Sequence, residues 1–310
     1  MKKTAIVFGW LLLSLGIANK TSAQYYFYND NFYDSPVMFE VGGSVGIMNC
    51  LTDLGGKKGL GQRFVKDLNM GQSQMNGSIF FSCLYKNAIA ARLEATFGKV
   101  AADDAVLKNV PVSDIAHARY NRNLNFETPI TEFSFVTEIH PFFILKNWAE
   151  SETYPPRISP YIMGGIGYFS YNPKGRLGDQ LIELQPLHTE GQGFVEYPDR
   201  KEYKLKQINI PVGVGFKYEL SPSVNLRAEF VYRILNTDYL DDCSTKYIDP
   251  NTFATNGLTG DLLYNAVALY DRQLDYKAGP GGKRGNSTNN DGYFSFNIKA
   301  GITFGRERVR

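Results

Sequence analysis

Eight stretches of this chain alternate apolar and polar residues with a period of two, and that pattern constrains the fold more than any other feature. Successive side chains of a β-strand point to opposite faces, so alternation marks a strand with one apolar side and one polar side. Val37, Phe39, Val41, Val45 and Ile47 share one face of the first stretch, and Glu40, Gly42, Ser44 and Gly46 share the other. Next, Met75, Ile79, Phe81 and Cys83 oppose Asn76, Ser78 and Ser82, and Ile89, Ala91, Leu93, Ala95 and Phe97 oppose Arg92, Glu94 and Thr96. Phe133, Phe135 and Ile139 oppose Glu132, Ser134 and Glu138. The stretch from Ser159 to Tyr171 is glycine-rich and leaves its facing open. Ile208, Ile210, Val212, Val214, Phe216 and Tyr218 then oppose Asn209, Gly213, Gly215 and Lys217. Val224, Leu226, Ala228, Phe230 and Tyr232 oppose Asn225, Arg227, Glu229 and Arg233. Finally, Phe294, Phe296, Ile298, Ala300, Ile302 and Phe304 oppose Ser295, Asn297, Lys299 and Thr303.

Short turns at Lys86-Asn87 and Ser221-Pro222, and a medium one around Pro155-Pro156, alternate with four long connections. The expected fold is all-β: an eight-stranded antiparallel transmembrane β-barrel with short periplasmic turns and four long extracellular loops. A soluble lipocalin-like barrel or a sandwich would show the same alternation with its apolar face inward. Three features favour lipid outside. The apolar faces are almost free of charge, Phe and Tyr fall near strand ends, and the long connections share one end. The other face then points into a barrel with room only for side chains. It carries Arg92, Arg227 and Lys299 against Glu94, Glu138 and Glu229. Three bases matched by three acids predict a packed ionic plug, with an ion path as the alternative, because buried charge is tolerated when paired.

Residues 1–23 read as a secretory signal. Lys2 and Lys3 precede a short apolar run, Ile6 to Ile17, and Thr21-Ser22-Ala23 supplies small residues for cleavage near Ala23. The alternative is an uncleaved anchor. The expected layout is signal 1–23, lead-in 24–35, barrel 36–305 and a basic C-terminal tail 306–310. The whole chain has 33 Lys+Arg and 31 Asp+Glu; without the three signal lysines the balance is 33 − 3 = 30 against 31. Such a balance gives no nucleic-acid footprint. Three Cys exclude a disulfide-built scaffold. No later stretch approaches 18 continuous apolar residues, so no transmembrane helix is expected. The chain has no phosphate-binding glycine loop, zinc spacing or nucleophile elbow, so no cofactor and no catalytic activity are expected.

Candidate sites are few. Asp238, Asp241 and Asp242 open the longest connection, either as a weak Ca²⁺ site or as hydrogen-bonded turn residues. Cys50 and Cys243 fall at the long-loop end and form the one intrachain disulfide pair worth considering; Cys83 falls at the other end, on the lipid side. His188 is placed to meet the loop aspartates, as a loop-based enzyme would require, and His140 shares a face with Glu138 with no convincing Ser or Cys beside it.

From the first strand onward the sequence resembles a Bacteroidota family of outer-membrane β-barrel proteins. This PorG-like family was first catalogued as a domain of unknown function and includes a component of type IX secretion. The resemblance rests on Leu51-Thr52-Asp53-Leu54-Gly55-Gly56, on Asn121-Arg122-Asn123-Leu124-Asn125-Phe126, and on Pro160-Tyr161 leading to Gly164-Gly165-Ile166-Gly167 and Tyr171-Asn172-Pro173-Lys174. It continues through Leu184-Gln185-Pro186-Leu187, Thr189-Glu190-Gly191-Gln192-Gly193, Asp238-Tyr239-Leu240-Asp241-Asp242 and Arg284-Gly285-Asn286 with Asn290-Asp291. Cys243 departs from the pattern where a small aliphatic residue is expected, and no aromatic closes the chain. The resemblance implies a non-catalytic outer-membrane protein in contact with outer-membrane lipid and with periplasmic secretion-ring lipoproteins. A small-molecule pore or transport barrel, a surface adhesin and a loop-based enzyme are the alternatives.

Overall fold

A computed structural model describes residues 26–29, 32–56, 70–146, 148 and 154–308. The expected signal at 1–23 lies outside the described residues. The strands are β1 Tyr26–Asn29, β2 Phe32–Leu51, β3 Gln74–Tyr85, β4 Ile89–Asp103, β5 Asn125–Ile139 and β6 Ile158–Tyr171. They continue with β7 Lys174–Leu177, β8 Gln180–Glu183, β9 Lys206–Glu219, β10 Val224–Leu235 and β11 Gly292–Arg308. Helices α1 Ala116–Arg122, α2 Pro141–Leu145, α3 Asn251–Thr255 and α4 Gly260–Tyr270 lie in the connections.

The eight long strands pair antiparallel in the order β4-β3-β2-β11-β10-β9-β6-β5, and β5 pairs back onto β4, closing a ring. Closure leaves each long strand paired along both edges, which removes the exposed donors and acceptors of an open sheet. The β7–β8 hairpin hangs from β5, where Lys174 pairs with Glu127, and β1 pairs with β2.

The ring puts its apolar side chains outside. Ile79 is 65% exposed and Ile298 58%, while Arg92, Arg227 and Lys299 inside are at most 1% exposed. The glycine-rich stretch follows the same rule: Tyr161, Met163, Phe169 and Tyr171 face inward, and Ile162, Ile166 and Tyr168 face outward. Gly42 is required by close approach, since a Cβ there would lie 2.6 Å from the Phe80 ring, which fills the interior. Lys86 and Asn87 both take positive φ (52° and 55°) at the centre of the turn that the Ala88 N–H closes onto the Tyr85 carbonyl at 3.0 Å, between β3 and β4, the geometry that matches strand twist in a tight hairpin.

Two expected boundaries move. The lead-in 24–35 and the tail 306–310 are expected outside the ring, but β2 begins at Phe32 and β11 runs to Arg308. Asp34 pairs with Arg306, Tyr33 with Glu307 and Phe32 with Arg308, beyond an irregularity at Gly305 (φ 105°). Charged residues hide this extension, because alternation stops marking a strand where it leaves an apolar environment.

The largest apolar core joins the long connections to the loop-end interior of the ring. Leu124, Phe126, Leu187, Phe194, Leu240, Ile248, Phe253, Leu269 and Tyr293 belong to one buried cluster at the long-loop end. The loops therefore form a folded cap whose core continues into the end of the ring.

Candidate functional site

Inside the ring, charge is arranged by register. Lys217, Arg227 and Lys299 stand side by side on β9, β10 and β11, since Arg227 pairs with both Lys217 and Lys299. Like charges directly opposite are destabilising. Carboxylates from β10 itself and from other strands neutralise the row. Arg227 meets Glu138 at 2.8 Å and Glu40 at 2.6 Å, and Lys299 meets Glu229 at 3.0 Å and also Glu94. Arg92 bridges Glu138 at 2.5 Å, Glu229 at 2.8 Å and Glu94 at 3.1 Å. The structure thus brings all six expected interior residues, Arg92, Glu94, Glu138, Arg227, Glu229 and Lys299, into one connected set.

Sequence reasoning missed three members. Glu40 and Lys217 lie on the polar faces of their strands and complete the set, with Lys217 3.6 Å from Glu40 and 3.0 Å from Glu219. Phe80 lies within 5.4–6.0 Å of Lys299, Arg227 and Arg92, a cation–π hub among the charges. Their inward alternation was the available signal. Tyr161 Oη and Ser78 Oγ donate to Glu229 and Glu94, at 2.8 and 2.5 Å. Above this layer Arg233 pairs with Glu132 at 3.4 Å, and below it Arg306 pairs with Asp34 at 2.5 Å and Glu219 at 2.7 Å. Arg306, expected in a free basic tail, thus belongs to the sealed end.

At that end His140 Nδ1 lies 3.1 Å from Ser159 Oγ and Nε2 lies 3.3 Å from Glu138 Oε2. The expectation that no Ser stands beside His140 is therefore corrected; β6 brings one there. The adjoining cavity is about 20 Å³, room for water but not for a substrate, and Glu138 is already held by two arginines.

The cap has a different electrostatic plan. Arg122 pairs with Asp104 at 2.8 Å and donates to the carbonyls of Asp53 and Arg284. Arg284 meets Glu190 at 3.0 Å and donates to the Asp242 carbonyl, and Glu190 also accepts from the Ser244 and Thr245 backbone N–H groups. These contacts tie all four long connections together. Asp242 accepts from Thr189 Oγ1 and from Tyr203 Oη at 2.7 Å. Asp241 accepts from the Cys243 N–H at 2.9 Å and Asp291 from the Leu240 N–H at 2.8 Å. Asp238, Asp241 and Asp291 have no ion-pair partner among the described residues. Burial first, and neighbouring carboxylates second, push Asp241 and Asp291 well above the carboxylate range. Burial raises Asp238 to about 8 and Asp242 to about 6.

The three aspartates expected as a weak Ca²⁺ site therefore serve different partners, and no group of three His, Cys, Asp or Glu suited to a metal occurs among the described residues. Cys50 and Cys243 are buried and free, as is the half-exposed Cys83. The expected Cys50–Cys243 bridge is not formed: the Cys243 thiol donates to the Arg284 carbonyl at 3.3 Å, and the Cys50 thiol faces the Ala101 carbonyl at 3.9 Å. His188 does not meet the aspartates; its ring lies 5.4 Å from Phe194, and its neighbour Thr189 makes the contact instead.

The family described as "Domain of unknown function (DUF6089)" matches residues 38–264. No curated protein matches the sequence. Among solved structures, a major outer membrane protein from Thermus thermophilus is 10% identical, with 86% of this chain and 99% of that chain covered and a TM-score of 0.37. Neisserial surface protein A is 9% identical, with 86% and 97% covered and a TM-score of 0.35. The outer membrane protein OprG from Pseudomonas aeruginosa is 11% identical, with 91% and 99% covered and a TM-score of 0.33.

Proposed function

This chain belongs to the DUF6089 family, and on that premise we propose that it is a non-catalytic outer-membrane β-barrel that anchors or organises other envelope proteins. One observation carries the membrane reading: the ring is inside out relative to a water-soluble protein. Its outward face is a continuous belt of Ile, Val, Leu and Phe, and its inward face is an ion-paired charge layer. Water would leave that belt exposed, far beyond the patches of a few hundred Å² that soluble monomers tolerate. Hydrocarbon covers it without penalty, and the closed ring satisfies every strand edge.

The filled interior favours an anchor over a pore. Arg92, Arg227, Glu138 and Phe80 occupy the space that water would need, and eight strands leave little more than room for side chains. The folded cap and the short-turn end are the surfaces left for partners. A PorG-like role in type IX secretion, with periplasmic secretion-ring lipoproteins as partners, is the finer reading. It rests on the sequence resemblance in the cap motifs.

Two experiments test these levels separately. The protein should require detergent or lipid and show a heat-dependent shift in electrophoretic mobility; a monomer stable in plain buffer would end the membrane reading. Cross-linking in cells should then recover secretion-ring lipoproteins. Their absence removes the type IX role and leaves the barrel intact. Steady single-channel conductance would replace the anchor by a pore.

A further inference from the structure

We infer that helix α2 and Trp148, in the connection between β5 and β6, form a lipid-binding foot, seated in the headgroup boundary of the leaflet at the short-turn end. The inference rests on the membrane-barrel reading and extends it from the strands to a turn. The other two short turns are compact and polar, at Lys86-Asn87 and Ser221-Pro222-Ser223. This one carries helix α2, whose sequence is Pro-Phe-Phe-Ile-Leu. Phe142 is 45% exposed, Ile144 51% and Leu145 83%, so the helix adds apolar surface where a turn ordinarily meets water.

Three features say what covers that surface. First, it is continuous with the outward belt, because β5 runs through the outward Ile139 (38% exposed) directly into α2 by way of His140 and Pro141. Second, its aromatic and basic residues are organised as an interfacial anchor. The Trp148 indole N–H donates to the Phe142 carbonyl at 2.9 Å, and the Lys146 ammonium lies 4.1 Å from the Trp148 ring centroid. Indole rings favour the water–hydrocarbon boundary. Third, the inner side of the foot is fixed to the ring: Phe143 lines the small cavity beside His140 and Ser159 and stands 6.4 Å from Trp148. An apolar projection carrying Trp and packed against the ring on its inner side fits a lipid boundary.

Trp10 and Trp148 are the two tryptophans of the chain, so Trp10→Phe leaves Trp148 as its one fluorophore of that kind. The full chain with that substitution would be reconstituted in phosphatidylcholine vesicles brominated either near the headgroup or near the chain end. The expected result is a roughly twofold loss of Trp148 emission with shallow bromines and a smaller loss with deep ones. Ile144→Ser with Leu145→Ser should reduce the shallow quenching while leaving the heat-dependent mobility unchanged. Emission insensitive to both lipids, or quenched by aqueous iodide, would overturn the foot while the reconstituted barrel stands. Failure of the chain to enter vesicles at all would overturn the barrel reading and the foot together.

Discussion

The ring interior and the loop cap both bury many charges, yet they hold them on different terms. In the ring the central layer sets Arg92, Lys217, Arg227 and Lys299 against Glu40, Glu94, Glu138 and Glu229. Each base there has a carboxylate within ion-pair distance. In the cap, Arg122 and Arg284 are committed to Asp104, Glu190 and Asp242, and Asp238, Asp241 and Asp291 are left with backbone or hydroxyl partners and one another. A charge layer sealed behind hydrocarbon has no water to draw on, so it must balance internally. The cap stands at the edge of water and can settle an acid excess with protons. Opposite charges make the ring rigid, and the acid excess makes the cap sensitive to pH.

The strongest break in that contrast comes from unbalancing the ring. Arg227→Met leaves Glu40 with Lys217 alone and Glu138 with Arg92 as its one remaining arginine, and should cost about 3–5 kcal/mol in urea unfolding of the lipid-reconstituted protein. Combining it with Glu138→Leu should cost less than the sum of the two single changes, because the second change removes a buried charge from which the first took one of its two arginines. An additive result would mean that the pair is not coupled.

A charge on the outer face should come next. Phe135→Arg, in the middle of the belt beside Leu93 and Ile166, should destabilise the reconstituted barrel by about 2–4 kcal/mol. A soluble protein would tolerate arginine at such an exposed position, so a near-neutral result would reverse the assignment of the two faces.

The cap should answer to pH where the ring does not. Its raised carboxylates bind protons on folding, so their contribution is complete below the ordinary aspartate range and is lost as pH rises through the folded values. For Asp242 that loss runs from about 4 to about 6, and for Asp238 it extends to about 8. Each carboxylate contributes a slope below ~1.4 kcal/mol per pH unit, reduced for the half-exposed Asp238 by solvent screening. Protease cleavage in the long connections should therefore quicken between about pH 5 and 8. Asp241→Asn should flatten that rise and make the cap more resistant at the upper end. A flat pH profile in the parent would remove the distinction between the two regions.

The smallest effect concerns the thiols. Cys50→Ala with Cys243→Ala should leave non-reducing mobility unchanged, and both parent thiols should react with maleimide once the chain is unfolded. A labelling count short by two would reinstate the bridge.

The ring is largely legible in the amino-acid pattern. Alternation locates eight strands and gives the facing of seven of them, because strand side chains change face at every residue and the apolar side has to be continuous to meet one environment. The stretch from Ser159 to Tyr171 is ambiguous because glycines carry no side chain to declare a face; packing of Tyr161 and Phe169 inside decides it. The strand ends at Asp34 and Arg306 are hidden for a related reason, as polar pairing at a rim leaves no apolar period. In the cap, little is readable beyond the expectation that motif-bearing loops fold, and the residues singled out there find other partners: Thr189 in place of His188 on Asp242, and carbonyls in place of a disulfide for two thiols.

Local sequence was enough to specify eight amphipathic strands and the residues that share their charged side, since both follow from a two-residue repeat. It took the folded ring to show that Lys217, Arg227 and Lys299 form one row, that Glu40 helps to neutralise it and Phe80 packs against its cations, and that Arg122 and Arg284 bind the loops into a cap. Those contacts join residues tens to hundreds of positions apart, and strand register and ring closure, which no local pattern encodes, bring them together.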